Sequence, residues 1–299
     1  MGLLLAHLVV ALVALVAIGG ATRVMEAGLA CPDWPLCYGV LLPGRQMNLQ
    51  VFLEWFHRLD AFVVGVTVLV LAAVALWRRQ QLPNWFTPAA VLALALVAVQ
   101  GGLGALTVSQ LLAAPLVTAH LGTALLLVAL VSAMQQALAS GPGGDPSSPA
   151  GNGPPTPSPT LPQWWRGVAG LAVLGIFSQC LLGGAMASQW AADRCLAAGD
   201  GCLWLALHRS AAIPAVLLVT ATALLSSFLH APFRLVRGLS LVALVLVAAQ
   251  IALGVATLRL QLALPLVTVA HQLGAALLVA VLAATAAAHL QPDTETIDG

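Results

Sequence analysis

Lysine is absent from this chain, and Asp, Glu, Lys and Arg together make up only 7% of its 299 residues. That scarcity excludes nucleic acid as a partner. A formal net charge of +1 with no basic stripe leaves nothing to neutralise a phosphate backbone. A soluble fold is excluded too: 61% of residues are apolar and the mean hydropathy is +0.99, demanding a core larger than such a chain can enclose. Long runs such as "AVLALALVAVQGGLGAL" instead mark an all-α polytopic membrane protein.

A stretch of roughly 20 apolar residues is enough to cross hydrocarbon. Eight such spans fall at about 3–21, 51–77, 88–107, 114–138, 165–187, 204–229, 235–257 and 263–289. The first reads as a helix rather than a cleaved leader, since no Arg or Lys precedes its apolar run. Arg78 and Arg79 follow span 2, and Arg234 and Arg237 separate spans 6 and 7. The positive-inside rule then places those loops and both termini in the cytoplasm. Residues 22–50 and 188–203 face outward, carrying Cys31 and Cys37 in one loop and Cys195 and Cys202 in another. On that oxidising side a disulfide within each loop is the favoured reading, with zinc or copper ligation the alternative. Cys180, alone in span 5, reads as an inert core residue. Trp34, Trp55, Trp190 and Trp204 read as an interfacial belt.

Residues 140–163, rich in Pro, Gly and Ser, cannot pack as a core and divide the chain into halves of four spans, 1–139 and 164–299. The halves resemble each other. "PLVTAHLGTALL" recurs as "PLVTVAHQLGAALL", "QGGLGAL" is echoed by "QIALGVA", "HRLDA" by "HRSAA", and "GGATR" loosely by "GGAMA". His57 to His120 is 63 residues, and so is His208 to His271. An even number of helices separates the copies, so the repeat is parallel.

Four histidines therefore stand at equivalent places, each near the start of a span entering from the outer face. Within each half the two can face each other across a four-helix bundle at similar depth. Such an arrangement suits a bis-imidazole haem, whose iron takes two axial nitrogens from opposite sides. The residue four after each histidine is alanine (Ala61, Ala124, Ala212 and Ala275), which leaves room on that face. His7, His230 and His289 have no repeat counterparts; His230 reads as interfacial and the other two as structural.

One stretch breaks the repeat. "EWFHRLDA" sets Glu54, His57, Arg58 and Asp60 in one span, whereas Leu205, His208, Arg209 and Ala211 occupy the matching places. Glu54 lies one turn from His57 on the same helix face. It is read as serving chemistry found in the first half alone, the alternative being a helix-start residue stabilised by the N-terminal dipole.

At these residues the chain resembles the haem A synthase family, bacterial members with paired loop cysteines included. The resemblance is carried by "EWFHR", "TAH", "HRSA", "VAHQ" and "GGATRVMEAGLACPDWPLCYG". It implies that haem O is the substrate and that its C8 methyl is oxidised to formyl, giving haem A for cytochrome oxidase. It also implies that His57 and His120 contact the iron of the substrate haem, with Glu54 the acidic residue beside it, while His208 and His271 ligate a resident haem b. Arg58 and Arg209 become candidates for binding haem propionates, against a reading as snorkelling cations. The further partners implied are an electron donor the sequence does not name, haem O synthase, oxidase assembly factors and a second copy of the chain. The location implied is a bacterial cell membrane. A quinone-linked di-haem cytochrome b and a non-catalytic haem transporter are the competing functions.

Overall fold

Lipid offers a backbone no hydrogen-bond partners, so an apolar stretch that crosses it must satisfy every N–H and C=O internally. In the computed structural model, which describes residues 1–140, 161–186, 197, 202–230 and 233–288, the chain does so with helices. Eight long ones occur among the described residues: α1 (Gly2–Val24), α2 (Leu49–Trp77), α3 (Phe86–Ser109), α4 (Ala114–Ala139), α5 (Gln163–Met186), α6 (Leu203–Ser226), α7 (Arg234–Arg259) and α8 (Pro265–Ala287). All eight are long and apolar enough to cross a membrane. The protein is thus a multi-pass membrane protein, as expected. Span limits read from the sequence agree with the helix ends to within a few residues; the divergences follow local chemistry. Asn48 starts α2 early by accepting the Val51 N–H on Oδ1 at 2.9 Å. Pro265, with its fixed φ and no N–H to satisfy, opens α8.

The helices close into two rings. Helix α1 packs on α2, α2 on α3, α3 on α4 and α4 back on α1; α5 to α8 repeat the same circuit. The rings meet through α4 against α8, α1 against α8 and α4 against α5. Here the main core forms, from Leu5, Leu8 and Leu12 of α1, Leu125, Val128 and Val131 of α4, and Leu278, Val279 and Leu282 of α8. The turn closing α3 recurs at the end of α7. Leu111 and Leu112 both have positive φ, as do Gln261 and Leu262, and Leu112 N–H and Leu262 N–H reach back to Thr107 O and Thr257 O. The linker at 141–160, Cys195 and Trp190 lie outside the described residues, as does His289.

Candidate functional site

Consecutive antiparallel helices put the starts of α2, α4, α6 and α8 at one end of the bundle, and all four repeat-related histidines lie there. His57 sits eight residues beyond Leu49, about 12 Å along the axis at 1.5 Å per residue, deeper into its helix than the sequence reading of six residues because α2 begins earlier. His120, His208 and His271 lie five or six residues past their helix starts. Each half thus has two histidines at this end of the bundle, His57 with His120 and His208 with His271.

Each imidazole lies against a glycine on the preceding helix, a feature the alanine spacing did not anticipate. A Cβ on Gly19 would come within 2.9 Å of His57 Cε1, and one on Gly183 or Gly254 within 3.0 Å of His208 or His271 Cε1. At Gly104 the corresponding distance to His120 Cε1 is 3.4 Å. Any side chain at the first three would push the ring out of place. Glutamines add a second layer. Gln100, Gln179 and Gln250 donate Nε2 to the main-chain carbonyls of His120, His208 and His271 at 3.0, 2.7 and 2.7 Å. A signal for Gln100, Gly104, Gln250 and Gly254 was present in "QGGLGAL" and "QIALGVA", segments that otherwise serve to register the repeat.

Several polar atoms in these rungs have no partner. Nδ1 of His57, His120 and His271, and Oε1 of Gln100, Gln179 and Gln250, are buried and unbonded. Such atoms deep in a bundle are costly unless something else satisfies them. Imidazoles paired within each half, three of them with an unbonded Nδ1 and all four backed by a glycine, are residues that would hold a haem iron.

Glu54, one turn from His57 on α2, is engaged by a loop. It is buried on α2, and its Oε2 accepts the Cys31 N–H at 2.7 Å while Oε1 pairs with Arg58. The Arg58 guanidinium also donates to the carbonyls of Asp33 and Leu36, with a longer contact of 3.4 Å to Cys31 O. Both side chains thus grip one loop. That loop is closed by a Cys31–Cys37 disulfide and folded as a tight turn, with Tyr38 and Gly39 at positive φ. Asp33 accepts the Tyr38 and Gly39 N–H groups at 2.6 and 2.8 Å. The loop rests on the His57 end of the first ring through Cys31, Cys37, Val51 and Trp55. Cys202 is likewise disulfide-bonded and buried at the start of α6; Cys195, expected as its partner, lies outside the described residues. Arg209, next to His208, is exposed. Cys180 is a free thiol. His7 bonds Leu3 O at 2.7 Å within its own helix, and His230 is exposed.

Fold and site together define an all-helical membrane protein with a pair of histidines in each of two four-helix rings. The chain belongs to the COX15-CtaA family, described as cytochrome oxidase assembly protein, whose model matches residues 3–283. It is similar to proteins named heme A synthase from Erythrobacter litoralis, at 29% identity over 153 residues, 39% of this chain and 45% of that one. Another heme A synthase, from Shewanella oneidensis, is 32% identical over 129 residues, 38% of each chain. A protein named protoheme IX farnesyltransferase from Haloarcula marismortui is 33% identical over 156 residues, 52% of this chain and 32% of that one. In each case the match spans less than half the length of the relative.

Proposed function

We propose that this protein is a haem A synthase, an oxidoreductase that converts the C8 methyl of haem O to a formyl group. The observation that carries the reading is the set of four repeat-related histidines, each ring backed by a glycine, in a chain of the cytochrome oxidase assembly family. Residues 1–139 take the substrate haem between His57 and His120; residues 164–299 hold a resident haem b between His208 and His271. The haem b supplies one-electron chemistry when bound. The chain's own contribution is placement. Gly19 and Gly104 set the depth of the two imidazoles in the first half, and the disulfide loop covers that half's end.

The asymmetry of Glu54 against Leu205 supports putting the reaction in the first half. With both oxygens engaged by Cys31 and Arg58, the carboxylate shapes the site by fixing the loop above it. Arg58 acts through the same clasp, and Arg209, beside His208, is the counterpart cation toward a propionate in the second half. Both termini lie in the cytoplasm of a bacterial cell membrane, with the disulfide loop outside.

The deciding experiment is pigment extraction from membranes of cells supplying haem O, with and without this protein, read by chromatography and mass spectrometry. Formyl haem that depends on the protein is the expected result. Haem O left unchanged beside a folded, haem-loaded protein would turn the assignment over to an electron carrier or transporter.

A further inference from the structure

Three of the four odd-numbered helices carry glutamine one turn before the glycine that faces a histidine: Gln100 before Gly104, Gln179 before Gly183 and Gln250 before Gly254. Each reaches across to the neighbouring helix and donates to the carbonyl of the histidine itself. A helical carbonyl already accepts one N–H from the next turn, and its second lone pair takes this bond. Two of the amides also approach the rings, Nε2 lying 3.1 Å from His208 Nδ1 and 3.4 Å from His120 Nε2. On α1 the equivalent position, one turn before Gly19, is Leu15. A leucine has no donor, and its contacts there are apolar packing.

We propose that Gln100, Gln179 and Gln250 are positioning residues that lock a haem-ligating histidine to the helix beside it, and that Leu15 leaves the α1–α2 rung free to open for haem exchange. The inference rests on the reading that the histidine pairs ligate haem. In hydrocarbon no water competes for an amide, so each interhelical bond resists sliding and rotation of the helix that carries the histidine. Apolar packing at Leu15 resists neither in a directional way. The distribution of clamps then matches the division of labour. The second half has one at each histidine, as a resident cofactor requires. The first half has one at His120 and none at His57, where α1 and α2 share only a long polar contact, 3.5 Å from Thr22 Oγ1 to Leu53 O, as a substrate that must enter and a product that must leave require.

The test uses the full-length protein purified with its haem, and variants Gln179→Met, Gln250→Met and Leu15→Gln. Methionine keeps the length of glutamine without its donor. Haem release from each half is followed during a chase with excess apomyoglobin, alongside the low-spin electron paramagnetic resonance signal of each haem. Gln179→Met and Gln250→Met should speed release from the second half about tenfold and shift its low-spin signal, leaving the first half unchanged. Leu15→Gln should slow release from the first half by a similar factor. The unmodified half reports that each variant is folded. Should Leu15→Gln not fold, Gln100→Met must instead speed first-half release. Release rates and signals unchanged in folded, haem-loaded variants would overturn the clamp alone; a wild-type protein that binds no haem in either half would overturn the underlying assignment with it.

Discussion

Glu54 and Arg58 are the residues for which sequence and structure together say most. Their pair, with Glu54 buried, Arg58 part-buried and the Cys31 N–H as a third member, is a loop anchor, and removing Arg58 strands the buried carboxylate. If the glutamate serves the reaction through that loop, Arg58→Ala should match Glu54→Ala: formyl haem lost on extraction, haem b retained in the optical spectrum, and stability lowered by about 3 kcal/mol in detergent unfolding. If Glu54 handles a proton directly, Arg58→Ala would keep most of the product. His208→Ala and His271→Ala should each remove the haem b absorbance, with folding checked by size-exclusion chromatography. The type of each of these residues was legible in the sequence because a charge or imidazole in an apolar span is conspicuous. The direction of the Glu54 carboxylate was not, since it depends on a loop arriving from more than twenty residues upstream.

Among the elements, the turns after α3 and α7 hold a backbone that non-glycine residues seldom adopt. Leu111 is 76% exposed, so its side chain contributes little packing to offset a φ of 49°. Leu111→Gly should leave thermal stability unchanged or raise it by up to about 1 kcal/mol, whereas Leu111→Val should lower it by about 1 kcal/mol or more. Leu112, with a similar φ, packs over Gly28 and should tolerate neither change, losing midpoint temperature in both. The recurrence of this turn in both halves shows that the repeat reaches the backbone. Helix identity itself needed no tertiary information: apolar length in lipid leaves few other solutions.

At the scale of the whole molecule, twin glycines tie the rings together. Gly19 faces His57 while Gly20 lies against Gln272, the residue after His271; Gly183 faces His208 while Gly184 lies against Leu121, the residue after His120. Each Gly-Gly pair thus touches a histidine of its own half and the neighbour of a histidine in the other. A Cβ at Gly184 would sit 2.8 Å from Leu121 Cδ2, the far end of a side chain that can turn aside, so Gly184→Ala should displace Leu121 and lower stability by about 1 kcal/mol.

The sequence by itself determined eight membrane-crossing helices, and its internal repeat marked out four histidines at matching positions and the two acidic residues, Glu54 and Asp60, that interrupt the match. Those are properties of composition and spacing, which hydrocarbon enforces one segment at a time. Only the tertiary structure decided which glycine backs which ring, which amide reaches which carbonyl, and that Glu54 and Arg58 turn to a disulfide loop. Such contacts join residues on different helices, and the relative rotation and height of two helices are set by packing between them rather than by either sequence alone.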